Sequence, residues 1–541
     1  MLGRRTPQMS LFDAASLPHR VAPESFYGRM GAVAETLFQD DDLKQLYDPD
    51  TGRPSLPPSL MAGVVLLQFY DDVSDGEAVE RTLYDLRWTV ALRLPLDYAG
   101  FDPSSLSYFR KRLLEGKQER YAFDRLLKVG RLAGFIPDTV TAIFDTTATG
   151  GAGAVMDTYT LIRKGIRKLL KTVGFALPGK RQGLAPEVAR LVATYVDQDR
   201  KAAIDWADPP ARAAQLKVLA ADAEAALAAI LPNCDDAEVR TLGWLLTKIL
   251  GDDLVTYEQG QVQLGTGTAP ERIISITEPE MHHGRKSAAH RFDGFKAVLV
   301  TEQSSELLLD VADAPAPGSD GRQFLPALPR AEAAADVSIA QALADGACGS
   351  GDIRATCADE LGHPVDLVVP MAQPADPAVA KAAFQIDLAT QTATCPQGHT
   401  VAGQPCQDDQ GRAILSFTFT RATCETCPLF ARCVRSKTLG RSVRTHAYEE
   451  LLQAARLRQQ TAEFKALYPL RSAIERKVAE LVAHGLRRTR YLGQRKRQFQ
   501  RLWLGAAVNL KRLFKLADQR QVDLGAVLRQ LTARPAWPAV G

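Results

Sequence analysis

The chain has 541 residues, of which 46% are hydrophobic, and it carries a net charge of only +3. That length and composition support a sizeable core divided over two or three domains, and they exclude a disordered or collagen-like chain. No run approaches the ~18 apolar residues that span a bilayer, and the first residues lack the apolar stretch of a signal peptide, so a soluble, cytoplasmic protein is expected.

Residues 1–20 read as a flexible arm, and residues 21–135 as a helical domain. Within it, 57–70 is an apolar run opened by proline, and 75–86 alternates polar and apolar residues at helical spacing. Asp102-Pro-Ser-Ser-Leu-Ser-Tyr-Phe-Arg-Lys-Arg-Leu113 then places Arg110 and Arg112 on a capped helix, where they are candidates for DNA contact. The pattern changes at Pro137. Residues 139–144 form a β-branched, apolar strand leading directly to Asp145, within a core segment 136–160. Residues 161–265 are helical and Ala-rich, with proline breaks, and read as an insertion. The core resumes over 266–390, with strands expected at 272–277, 294–301, 307–311, 338–344 and 365–369, and a helix at 324–335. A Cys-rich module follows at 391–440. Helices carrying a basic segment occupy 441–520, and 521–541 is a tail. No internal repeat is evident.

Charge is uneven along this chain. Residues 431–515 hold 21 Lys and Arg against 5 Asp and Glu, the footprint of a surface that grips phosphates. Arg487, Arg488 and Arg490 lead this segment, with Arg495, Lys496, Arg497 and Arg501 behind them. Arg285 and Lys286 form a second basic point beside a turn at Gly284.

Phosphoryl transfer by two divalent cations needs carboxylates that converge from different elements. Asp145 follows one strand, and Asp345 follows another and precedes Gly346, a residue that lets the backbone approach a ligand closely. Asp157, Asp293, Asp310 and Asp352 are competing acids, Asp352 being the nearest rival to Asp345. In Tyr468-Pro-Leu-Arg471-Ser-Ala-Ile-Glu475 the three numbered residues fall at i, i+3 and i+7, one stripe of one helix. By spacing alone a surface Arg–Glu pair, common on any helix, is the favoured reading.

These last three residues reproduce the Y-x2-R-x3-E signature of DDE-type insertion-sequence transposases, and the chain resembles the family numbered eleven-eighty-two. Further agreement comes from Gly153-Ala-Val-Met-Asp-Thr-Tyr-Thr-Leu161, the stretches around Arg285 and Lys296, and Gly485-Leu-Arg-Arg-Thr-Arg-Tyr-Leu-Gly493. The resemblance implies an α+β fold built on an RNase H-like core, a mixed sheet flanked by helices. It also implies two catalytic Mg²⁺ ions held by Asp145, Asp345 and Glu475, with Arg471 and Tyr468 at the DNA. Transposon ends and target DNA would be the partners, in a homodimer or higher synaptic oligomer associated with the nucleoid. Departures are Cys348, where relatives often carry tyrosine, Val482 in place of a lysine, and Glu278-Pro279 for Asp-Pro. A DNA-binding protein without catalysis is the alternative.

Five of the eight cysteines crowd into residues 395–433. Cys424-x2-Cys427-x5-Cys433 with Cys395 upstream matches the spacing of a structural Zn²⁺ site, His399 and Cys406 being alternates. In the arm, Gln8-Met-Ser-Leu-Phe12 resembles the short peptide by which bacterial proteins bind the replicative sliding clamp.

Overall fold

The computed structural model describes residues 2–3, 20–48, 52, 54–257, 261–267, 269, 271–286, 289–359 and 361–533. Among the described residues the first α-helices are α1 (Phe26–Leu37), α2 (Pro58–Tyr70), α3 (Asp75–Tyr84), α4 (Leu86–Leu92), α5 (Ser104–Glu115) and α6 (Tyr121–Leu132). Their starts follow from local chemistry. Ser25 and Ser74 accept from Gly28 N and Glu77 N, and proline opens α2, where its missing N–H costs nothing. α2 is buried along almost its whole length, which explains its apolar sequence on every face.

β1 (Thr139–Gly150) starts the sheet. It leads into α7 (Thr158–Thr172), α8 (Pro186–Val192), α9 (Pro209–Ile230), α10 (Ala237–Asp253) and a hairpin of β2 (Leu254–Thr256) and β3 (Val262–Leu264). These helices bury a core of their own around Leu161, Ile166, Leu219 and Leu246. The chain then returns to the sheet through β4 (His282–Arg285), β5 (Arg291–Glu302), β6 (Leu308–Pro315), α11 (Gly321–Ala335), β7 (Ser338–Leu343), α12 (Gly351–Asp359) and β8 (Asp366–Val368). β1 pairs antiparallel with β5 on one side and parallel with β7 on the other. β5 carries β6 and then β4 on its far edge, and β8 extends the sheet in parallel beyond β7. The result is a mixed sheet with helices packed against it.

Residues 272–277, expected as a strand, form none. The segment is buried, but its backbone ties the insertion to the sheet: Met156 N donates to Ile274 O, and Lys168 Nζ to Ile276 O. Burial alone produces an apolar, β-branched sequence, so the pattern cannot tell a strand from a buried tie.

The Cys-rich module holds two small sheets, β9 (Gln385–Asp387), β10 (Thr392–Thr394) and β11 (Thr400–Ala402), then β12 (Gln404–Gln407), β13 (Ala413–Thr418) and β14 (Ser442–Arg444). Short helices α13 (Arg421–Glu425) and α14 (Phe430–Cys433) stand between β13 and β14, over a core of Phe384, Phe417 and Phe419. α15 (Glu449–Arg458), α16 (Ala462–Leu467), α17 (Ser472–Ala483) and α18 (Gln494–Arg520) complete the domain, and α19 (Leu524–Ala533) lies in the stretch expected as a tail. α18 is the axis of the molecule. It packs on α2, α6 and β6, and its Asn509 accepts from Leu308 N and donates to Leu308 O. Phe499 and Trp503 meet Phe69 and Phe38, so the N-terminal helices and the sheet share one core. Among the described residues no helix is long and apolar enough to cross a membrane.

Candidate active site

Parallel pairing between β1 and β7 ends at Ile143 and Leu343, and both strands then run on toward an acid. Asp145 lies two residues past that point on β1, opposite Leu299 of β5. Asp345 lies two residues past it on the other side, where its Oδ1 accepts from Ala347 N at 3.0 Å and caps a short 3-10 turn, Gly346–Cys348. β1, expected to stop at Phe144, runs on to Gly150, so Asp145 lies within the strand, and both acids stand where β1 and β7 part.

Glu475 comes from the first turn of α17. Arg471 connects it to the sheet: Nη2 meets Glu475 Oε1 at 2.7 Å while Nη1 lies 3.7 Å from Asp145 Oδ2. Burial holds the Asp145 carboxyl above the usual carboxylate range. The Thr146 N–H and Arg471 oppose that shift, whereas Asp345 and Asp320 add to it by repulsion. Cys348 is buried beneath the same acids, and its thiol is pushed far up by burial first and then by Asp345, Asp320 and Asp145. It stays a neutral thiol.

Asp320 was not legible as part of this cluster. It precedes α11 and pairs with Lys296 Nζ at 2.7 Å, and no local motif announces it. The competing acids are engaged elsewhere. Asp352 pairs with Arg412 and with His446, Asp293 with His283 at 2.5 Å, Asp310 with Arg330 at 3.0 Å, and Asp157 caps α7.

The signature segment is not one helix. Tyr468–Arg471 form a 3-10 turn between α16 and α17. Pro469 cannot donate a backbone hydrogen bond and the turn tightens there; residues three apart in a 3-10 turn lie over one another, so Tyr468 and Arg471 share a face, and Arg471 meets Glu475 one turn on. Tyr468 stacks on Phe464, with ring centroids 5.5 Å apart.

The basic residues divide into two kinds. Arg110, expected to contact DNA, is buried and binds Asp75 with both guanidinium arms, at 2.9 and 2.5 Å. It lies on the face of α5 that also buries Leu106, Phe109 and Leu113, so it is an internal ion pair. Arg490 is similarly occupied by Asp72 and the Val73 carbonyl. Arg497 and Arg501 are buried in the core. Arg497 meets Glu278 at 2.6 Å, Glu280 at 2.7 Å and Asp313 at 3.1 Å, and Arg501 meets Asp313 at 2.5 Å. Glu278 in turn accepts from Ala152 N and Gly153 N, which fixes the exit of β1. By contrast Arg112, Arg285, Lys286, Arg487 and Arg488 are exposed. Arg112 lies over the Tyr47 ring and Arg488 reaches Asp72 at 2.9 Å. The Arg487 carbonyl accepts from Gly150 N, which sets Arg487 at the far end of the strand that carries Asp145.

Cys395, Cys424, Cys427 and Cys433 line one small cavity with His399, Phe384, Phe419 and Phe430. The Cys433 thiol is pushed up, chiefly by burial, with Arg441 opposing and the three other cysteines adding to the shift. Cys406 lies on β12 and does not line the cavity. All eight cysteines are free. Among the described residues no group of three or more His, Cys, Asp or Glu side chains is drawn together closely enough to hold a metal ion, at the acids or at the cysteines.

Two family models match the chain. One, a transposase DDE domain, covers residues 394–514, which include Glu475 but neither Asp145 nor Asp345. The other, a transposase domain (DUF772), covers residues 15–112. No curated protein and no solved structure matches.

Proposed function

This chain is a DDE-type insertion-sequence transposase, and from that premise we propose that it cuts transposon ends and joins the freed 3′-hydroxyl to target DNA at Asp145, Asp345 and Glu475. The observation that carries the reading is Arg471, which brings carboxylates from β1 and α17 to one guanidinium while Asp345 stands beside them at the end of β7. A mixed sheet flanked by helices, with acids where β1 and β7 part, supports an RNase H-like core.

The donor chemistry suits Mg²⁺. The ligands would be carboxylate oxygens, and Asp345 and Asp320 both disfavour the ionised Asp145, repulsion that a bound cation would relieve. When bound there, a pair of Mg²⁺ ions would supply charge stabilisation at the entering and leaving oxygens of an in-line displacement. The protein's own part is orientation. Arg471 presents planar paired donors to a phosphate, and Tyr468, backed by Phe464, steers the adjoining strand. In the first step a water oxygen bonds to phosphorus and the P–O3′ bond breaks, leaving a 3′-hydroxyl and a 5′-phosphate. In the second, that hydroxyl bonds to a target phosphorus and one target P–O bond breaks. Arg285, Lys286, Arg487, Arg488 and Arg112 are the exposed cations that would hold the duplex, in a dimer or larger synaptic assembly.

A structural Zn²⁺ ion at Cys395, Cys424, Cys427 and Cys433 belongs to the same proposal. Four thiols facing one cavity are a soft donor set that suits it, though the side chains would have to draw closer. Metal analysis of purified protein should find about one Zn²⁺ per chain by that stoichiometry, and a metal-free protein with intact fold would remove the ion from the proposal. The sliding-clamp peptide, Gln8 to Phe12, lies outside the described residues. Binding of a peptide from the arm to purified clamp tests it.

The main test is cleavage and strand transfer on the DNA that flanks the reading frame. Mg²⁺-dependent activity should disappear in Asp145→Ala, Asp345→Ala and Glu475→Ala. Activity surviving any of the three removes that residue from the ligand set, and a wild-type protein that binds the ends without cutting them is a regulator instead.

A further inference from the structure

Arg471 differs from an ordinary helix-surface arginine in what it joins. Its contact with Glu475 is a one-turn pair of the common kind, but the other arm of the same guanidinium reaches Asp145 on a separate element. Both partners are proposed cation ligands, so this inference rests on that reading of the site. A guanidinium does not give up its charge at any pH the protein meets; this one hydrogen-bonds Glu475, taking a lone pair that a metal would need, and holds its charge 3.7 Å from Asp145, an ion pair without a hydrogen bond. It therefore competes directly with a divalent cation.

We infer that Arg471 is a built-in counter-ion that keeps divalent cations weakly bound in the DNA-free protein, and that it releases Asp145 and Glu475 when a DNA phosphate takes over its donors. Three features support this. The site is rich in acid, and Lys296 is engaged with Asp320 and the Gly318 carbonyl, so among the described residues Arg471 is the base paired with Asp145 and Glu475. Arg471 is mostly shielded from solvent whereas Glu475 is largely exposed, so the guanidinium sits inward of the acid it pairs with. Finally, Arg471 ends a 3-10 turn rather than lying inside a regular helix, and its long side chain can exchange a carboxylate for a phosphate without moving α17. Phosphate offers the same paired oxygens as carboxylate, with more charge. The order of events follows: DNA first, full metal loading second, which guards against stray cutting by the free protein.

The test is a Mn²⁺ titration of the full chain, with free Mn²⁺ followed by electron paramagnetic resonance in the absence of DNA. Arg471→Gln should bind Mn²⁺ about five- to tenfold more tightly than wild type, the range expected for losing a partly shielded cation. Arg471→Lys, which keeps the charge but not the fork, should fall between them. A duplex of the flanking DNA should raise the wild-type affinity toward that of Arg471→Gln and change the variant little. Circular dichroism confirms that each variant is folded. Equal or weaker Mn²⁺ binding by Arg471→Gln, or no effect of the duplex on wild type, overturns the inference. Asp145→Asn separates the two readings: it should abolish the Mn²⁺ binding, and if binding persists the metal site itself is wrong and the counter-ion role falls with it.

Discussion

Around Arg497, two acids and two arginines close on one another inside the core, with the exposed Glu280 at the rim: Arg497 is 2% exposed, Glu278 1% and Asp313 5%. Around Arg471, Asp145, Asp345, Asp320 and Glu475 stand where β1 and β7 part in the same sheet, and Glu475 is 59% exposed. The buried part of the first cluster is balanced, two acids against two arginines. The second has too few bases for its acids and opens to solvent. Burial of unpaired charge is costly, so an acid-rich cluster persists only where water or an incoming cation can reach it. Charge balance together with exposure, rather than the residue types, separates a structural cluster from a site.

The two clusters should differ most at Asp145. Asp145→Asn should reduce end cleavage by ~10³-fold or more, as expected when a metal-ligating carboxylate is lost, measured in single-turnover assays. Thermal stability at neutral pH should not fall. A thermal unfolding loss comparable to that at Arg497 would mean that the two clusters are built alike.

Arg497→Met should do the opposite. Removing one partner of a buried ion pair costs ~3–5 kcal/mol, and the lowered midpoint should show in thermal or urea unfolding before any assay of chemistry. Arg110→Met should likewise destabilise, leaving the salt dependence of DNA binding unchanged.

A smaller effect is expected at the exposed cations. Arg285→Ala and Arg487→Ala should each weaken DNA binding at low salt and lower the slope of log affinity against log salt by about one. An unchanged slope would remove that residue from the DNA surface.

The smallest effect concerns pH. The folded-state carboxyl of Asp145 is raised, so the native state binds its proton more tightly than the unfolded chain does. The resulting penalty is absent below the unfolded carboxylate range, grows as pH rises through it, and is complete above the folded value. Asp145→Asn should therefore be slightly more stable than wild type at pH 7, and the difference should vanish as pH falls below the ordinary carboxylate range. A difference that grows on acidification would reverse the assignment.

Much of the frame was legible in the residues themselves. The strands at 294–301, 307–311 and 338–344 and the helix at 57–70 lie within a few residues of β5, β6, β7 and α2, because their hydrophobic periods reflect one buried face or full burial. The segment 272–277 misled for the same reason, being buried without a strand partner. Of the candidate acids, Glu475 came with a local signature, whereas Asp145 and Asp345 are 200 positions apart and only strand pairing makes them neighbours. Asp320 left no local trace at all.

The sequence carried most of the longer elements, the family signature at Glu475 and the crowding of cysteines, since periodicity and spacing are properties of a few adjacent turns. The tertiary structure alone decided which charges face inward. Arg110 and Arg112 are two residues apart in one basic run, yet α5 turns the first onto Asp75 in the core and the second toward solvent over Tyr47. Helical geometry separates such neighbours by about 200° around the axis, and the charge count of a run carries no information about which side the core lies on.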